Sequence, residues 1–162
     1  MKGNYLSLAL LAIMTLIIVS CETKGEPTTL GEILSEEQLA SIPADDSWNG
    51  KMIAIKGYAN FDRMLLKFGT KNIFNIANTP NGNPIIQASI GLRDANKSEG
   101  VTIAGEKSRN YIQVPSDNLT ISAATFITDN YEEKEFGEFI FNGKLVCENG
   151  KYVLENVSIH TP

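Results

Sequence analysis

The sequence is short of the residues that most often do chemistry. It has two cysteines in 162 residues and a single histidine, His160, near the C-terminus. Zinc sites of the Cys/His type need several such ligands and are excluded by count. A Cys/His catalytic pair would have to be Cys147 with His160, but Cys147 sits in an alternating apolar run, the setting of a buried structural thiol. Missing too are a Ser-His-Asp spacing, a phosphate-cradling glycine loop and a nucleotide fingerprint. Positive charge is in deficit, with 14 Lys+Arg against 19 Asp+Glu and a net charge of −5 at pH 7. A main partner made of nucleic acid calls for a cationic surface, so the acidic total argues against that class.

Charge is absent altogether from residues 5–19, which follow Met1-Lys2-Gly3-Asn4 and its one lysine and carry only Ser7 and Thr15 as polar interruptions. A helix over that run would be about 22 Å long, against a hydrocarbon core of roughly 30 Å, so an export signal (residues 1–20) is expected rather than a permanent span. The run ends in Ile18-Val19-Ser20-Cys21, immediately before the polar Glu22-Thr23-Lys24-Gly25-Glu26-Pro27. This junction resembles the lipobox of bacterial lipoproteins. The resemblance implies that Cys21 becomes the lipid-bearing first residue of the mature chain, with residues 21–28 as a tether. It also implies a domain anchored to a bacterial membrane in the cell envelope, the outer membrane foremost. The covalent lipid on Cys21 is then the only attached group expected, with no other cofactor. Cys147 is left without an internal disulfide partner, and the mature chain, having lost Lys2, is one unit more negative than the precursor.

Residues 29–162 read as one domain, a length that supports a real core. Thr29-Leu30-Gly31-Glu32 and Ser35-Glu36-Glu37-Gln38 both have capping-box spacing, and Leu30, Ile33 and Leu34 share a helical face. A short, broken helix ending before Pro43 and capping the core is expected. From Asn49-Gly50 onward the pattern is β: Ile53, Ile55 and Gly57 recur at period two, and residues 71–77 and 85–92 form a hairpin across Thr79-Pro80-Asn81-Gly82-Asn83-Pro84. Residues 93–100 are polar and are expected to be a loop or one helical turn. Strands are expected over 101–104, 111–114 and 119–128, with pairing undetermined, and a charged, exposed turn over 129–135. The clearest pattern is the last: Phe139, Phe141, Gly143, Leu145 and Cys147 alternate. Asn149-Gly150 then provides the type I′ turn for a return strand that ends near Ile159.

Two segments echo each other, Gly50-Lys51-Met52-Ile53-Ala54-Ile55-Lys56-Gly57 and Gly137-Glu138-Phe139-Ile140-Phe141-Asn142-Gly143. Each carries a glycine inside a strand, which marks a bulge or sharp bend of the kind that curls a sheet into a barrel. With Leu154-Glu155-Asn156-Val157-Ser158-Ile159, these segments resemble the OB-fold lipoproteins of Bacteroidota-like bacteria, the tRNA-anticodon-binding-like group. The resemblance covers residues 48–92 and 137–160. It implies a mainly β fold: a small OB-like five-stranded barrel with an insert between residues 92 and 137 and a short N-terminal helix.

The strongest functional pattern is a local reversal of charge. Residues 51–71 contain Lys51, Lys56, Arg63, Lys67 and Lys71 against Asp62 alone, with Tyr58, Phe61 and Phe68 interleaved. On an OB fold such a strip forms a binding face, rings stacking on bases or sugars and cations following phosphates. The competing reading makes Phe61 and Phe68 core residues and the lysines a solvated outer face, and the acidic total favours it. The acidic segment 129–135 lacks the residue order of a calcium loop. Three functions are therefore expected in descending order. The first is a non-enzymatic envelope module for a protein, peptide or glycan partner, the second a single-strand nucleic-acid binder using the cationic strip, and the third a hydrolase with an unidentified carboxylate pair.

Overall fold

A computed structural model describes residues 28–43, 45–62, 66–97 and 109–162. The export signal, Cys21 with all but the last residue of the tether, Arg63 and the expected strand 101–104 lie outside the described residues.

The fold is mainly β, built on a closed five-stranded barrel. Its staves are β2 (Met52–Asn60), β3 (Gly69–Ala77), β4 (Pro84–Asp94), β8 (Phe139–Glu148) and β9 (Lys151–His160). β2, β3 and β4 form an antiparallel meander, β9 joins β4 in parallel, and β8 pairs antiparallel with both β9 and β2 to close the ring. This is the OB-like barrel the glycine-bearing strands imply. Period-two alternation fills it with Ile53 and Ile55 from β2, Phe74 and Ile76 from β3, Ile90 and Leu92 from β4, and Phe141 and Leu145 from β8, while Leu154 and Ile159 of β9 are both buried on either side of Asn156, whose positive φ of 51° shifts the phase. Each such side chain contributes about 1.5–3 kcal/mol relative to an exposed one.

The two echoing segments are neighbours, with Ile53 opposite Gly143 and Gly57 opposite Phe139. A Cβ on Gly57 would stand 2.5 Å from the Ala77 carbonyl oxygen, and one on Gly143 would stand 2.6 Å from that of Glu155. At Gly143 the β8–β9 register also slips, between Asn142 and Lys144. The missing side chains let β3 and β9 approach closely enough to bend the sheet shut. The Asn149-Gly150 turn takes positive φ at both residues, 52° and 75°, as a type I′ hairpin requires.

The N-terminal segment departs from the helical expectation. Only the second capping box is used, with Ser35 Oγ accepting from the Gln38 amide at 3.3 Å and Gln38 Oε1 accepting from the Ser35 amide at 2.8 Å. These bonds start α1 (Glu36–Ala40). Residues ahead of it are extended, and β1 (Glu32–Ile33) lies parallel to β2. Leu34 is buried, while Leu30 and Ile33 remain exposed. The buried Asn142 decides this, accepting from the Gly31 amide at 2.7 Å and donating to the Thr29 carbonyl at 3.3 Å, so these backbone groups are held against the barrel and not against one another.

The insert builds a wing. β5 (Tyr111–Val114) extends β4 in parallel, then β6 (Thr125–Ile127) and β7 (Glu133–Glu135) follow antiparallel. Two expectations are corrected here. Residues 119–128 are not one strand, because a 3-10 turn at Ile121–Ala123 precedes β6. The segment 129–135 is not simply an exposed turn. Asp129 is 1% exposed, and Glu133, Lys134 and Glu135 form a charged edge strand, the kind that discourages further strand addition. Cys147 is free but half-buried, less enclosed than its apolar pattern suggests.

Replacing Gly57 by alanine forces a Cβ into the Ala77 carbonyl, and the expected loss is about 1–3 kcal/mol. Gly69→Ala, also within a strand but with open space where its Cβ would lie, is the matched control and is expected to stay within ~0.5 kcal/mol of the parent in urea unfolding.

Candidate functional site

The cationic strip does not assemble into one groove among the described residues. Lys51 lies with Nζ 3.9 Å from the centre of the Trp48 ring, and Lys56 pairs with Glu138 at 2.9 Å. Tyr58 rests on Phe136 of the insert, ring centres 5.9 Å apart, so the insert covers this part of β2. Phe61 packs edge-on to the core residue Phe74 at 5.7 Å. Lys67 is exposed, its backbone amide donating to Asn72 Oδ1 at 3.0 Å. Phe68 is 40% exposed, and Lys71 reaches Glu155 at 3.3 Å. The β2–β3 loop therefore leaves Phe61 at one concavity and Phe68 at another.

The first concavity encloses about 320 Å³ between the end of β2, the β3–β4 turn and the insert. It is lined by Asn60, Phe61, Asn81, Thr120, Ile121, Ser122 and Phe136, none of them ionisable. Asn60 Oδ1 accepts from the Asn81 amide at 3.4 Å, while its Nδ2 is buried without a hydrogen-bond partner among the described residues. Ser122 donates to Thr120 Oγ1 and Thr120 to Asn118 Oδ1, at 3.3 and 3.0 Å, so the hydroxyls retain acceptor capacity.

A second concavity of about 340 Å³ lies across the start of β3, the end of β4 and the start of β5. Phe68, Arg93, Arg109 and Tyr111 stand round a floor that includes Gly69 and Gly91. The Arg93 guanidinium lies 4.0 Å over the Tyr111 ring. A third, by α1, is flanked by Glu36, Glu37 and Glu138. Each of these acids has a partner, since Asn78 donates to Glu36, Ser35 to Glu37, and Lys56 pairs with Glu138. The Ser35 hydrogen bond also lowers the pKa of Glu37, which keeps it ionised and unsuited to donating a proton.

Sequence reasoning missed a polar corner around Asp129. Its carboxylate accepts from both the amide and the hydroxyl of Thr28 and from Asn110 Nδ2 at 2.6 Å, and it lies 3.6 Å from Arg109 Nε. Asn110 Oδ1 in turn accepts from the Ile159 amide at 2.8 Å. Burial alone raises the Asp129 pKa, but the bonds from Asn110 and Thr28 and the Arg109 charge outweigh it and leave a net lowering. His160, beside this corner, has its pKa lowered by burial against a smaller opposing pull from Asp129. The fold thus brings Ser158, His160 and Asp129 together, with Ser158 Oγ 2.9 Å from His160 Nε2. Ser158 is 2% exposed and already accepts from Asn142 Nδ2 at 3.0 Å, so its hydroxyl is a structural link with no room for a substrate carbonyl.

No family model, curated protein or solved structure matches the chain.

One sequence signal for the missed corner exists. Asn142 interrupts the apolar run of β8, and a buried amide in a strand has to be bonded to something. Nothing comparable marks Asp129, which sits in a segment rich in acids.

The two shifted groups of this corner destabilise the protein in acid. His160 is held neutral, so stability falls as pH drops below the unfolded histidine value of about 6.5. The lowered Asp129 contributes fully above an unfolded value of about 3.9, and that contribution is lost as pH falls through its folded value. In urea unfolding across pH, His160→Gln is expected to remove the shallow decline that starts near neutrality. Asp129→Asn is expected to flatten the acid limb and to cost about 3 kcal/mol at pH 7 by unpairing the buried corner.

Proposed function

We propose that this protein is a lipid-anchored envelope module that binds a neutral glycan without acting on it, at the concavity between the end of β2, the β3–β4 turn and the insert. The observation that carries this reading is the chemistry of that lining. Two phenylalanines supply aromatic surface for the C–H face of a sugar, amides and hydroxyls match its hydroxyl groups, and a buried Asn60 donor has no partner among the described residues. With no ionisable side chain in the wall among the described residues, recognition there relies on hydrogen bonds and shape.

Anchoring rests on the sequence: the apolar run ending in Ile18-Val19-Ser20-Cys21 supports acylation of Cys21. The pairing of Lys51, Lys56 and Lys71 with aromatic or acidic partners weighs against a continuous phosphate track and so against nucleic acid. The partnered state of the acids by α1 weighs against a carboxylate-pair hydrolase.

Titration of the purified protein with neutral hexose and N-acetylhexosamine oligosaccharides tests the reading. Saturable binding is expected, nearly independent of salt, and weakened about tenfold by Asn60→Ala through loss of one buried hydrogen bond. Ser122→Ala is expected to weaken it less. Absence of binding across the set, or binding seen only at low salt, contradicts the proposal.

A further inference from the structure

The tether enters the barrel at a defined place. Thr28, the residue after Pro27, is held by Asp129 through both its amide and its hydroxyl, and Asp129 also holds Asn110 and Arg109. The chain between Cys21 and Thr28 can span at most roughly 25 Å even when fully extended. Whatever lies beside Thr28 is therefore confined near the surface that carries the lipid.

Beside it lies the second concavity. Arg109 spans the two, with its Nε 3.6 Å from Asp129 Oδ1 and its side chain contributing to the concavity's wall. Arg93, its guanidinium over the Tyr111 ring, lines this concavity together with Arg109 and the exposed Phe68, as do Gly69 and Gly91. No carboxylate side chain lines this concavity among the described residues, although the whole chain carries a net charge of −5. The Arg109 guanidinium also lies 5.6 Å from the centre of the Tyr131 ring. Arginines that bond phosphate oxygens, together with aromatic rings, are the side chains that settle at a membrane–water interface.

We infer that the Arg93–Arg109–Tyr111 concavity seats the domain on the bilayer, its guanidinium groups taking phosphate oxygens of anionic lipid headgroups and Phe68 entering the interface. The inference rests on anchoring through Cys21 and is independent of the glycan site. In this orientation the surface beside Thr28 faces the lipid, and the short leash allows the barrel little freedom to turn away from it. The guanidiniums supply an electrostatic second contact to a domain already held by acyl chains, so orientation rather than retention is the property they control.

The test uses the full-length mature protein, purified from membranes and reconstituted into vesicles of phosphatidylglycerol or of phosphatidylcholine. Its mass reports whether Cys21 is acylated. Hydrogen exchange at residues 66–72, 91–95 and 109–113 reports contact, and exchange in β2, which makes no bond to the Asp129 corner, reports that the fold is intact. Exchange at the three segments is expected to be about fivefold slower on phosphatidylglycerol, to speed up again at high salt, and to lose the difference in Arg93→Glu, as for screened guanidinium–phosphate contacts. Arg109→Gln is the second variant, since it leaves Arg93 and the fold-reporting strand to be read separately. Acylated protein whose exchange is the same on both lipids overturns the seating while leaving the anchor intact. Equal protection by inorganic phosphate without lipid also overturns it, and assigns the concavity to a free anion. A mass without lipid overturns the anchor and the seating with it.

Discussion

Everything in this molecule hangs on the closure of the barrel, and closure hangs on two strand positions that have no side chain. Gly57 and Gly143 sit where the backbones of β3 and β9 come too near for a Cβ. With both strands bent, β9 can reach β4, and the parallel contact of Gln87 with Val153 and Ala88 with Leu154 completes the ring. The enclosed apolar side chains supply the driving force, but they would face an open, partly wet sheet without the bend. β2 and β4 each pair with three strands, β2 with β1, β3 and β8 and β4 with β3, β5 and β9.

A second layer of constraint is polar. Asn142 and Asp129 sit at 0% and 1% exposure, and each accepts from the N-terminal segment, Asn142 Oδ1 from Gly31 and the Asp129 carboxylate from Thr28. These bonds fold the front of the domain onto the barrel wall, and Asn110 and Ser158 link the same corner to β9. The chain leaves toward its N-terminus from a fixed point on the surface and not from a free end. Concavities form where the insert meets the barrel: a neutral one beneath Phe136 and a cationic one beside Arg109. The insert thus creates both candidate surfaces while also covering Tyr58, the aromatic that the sequence presents as part of an open face.

Legibility in the sequence follows from the range of the interactions. The Ser35 capping box, the Asn149-Gly150 hairpin and the alternation in β2, β3, β4 and β8 depend on residues a few positions apart, and each occurs where its pattern places it. The front of the domain failed the same treatment because its decisive partner is distant: Asn142, 111 residues beyond Gly31, turns a helical pattern into an extended one. Cys147 and Asp129 fail for a related reason, since an apolar neighbourhood in sequence did not mean full burial and an acidic one did not mean exposure.

By itself the sequence determined the mainly β barrel, the glycines that let it close, the turns that join its strands and the uncharged apolar run ahead of Cys21, because each is written in local spacing and side-chain size. Tertiary structure alone decided the parallel closure of β4 on β9 and the wing made by the insert. It alone dispersed the lysine strip among separate partners and gathered Thr28, Asp129, Asn110 and Arg109 into one corner. The physical reason is that charge and hydrogen-bonding groups take their meaning from what lies within a few ångströms, and for these residues that neighbour lies far away along the chain.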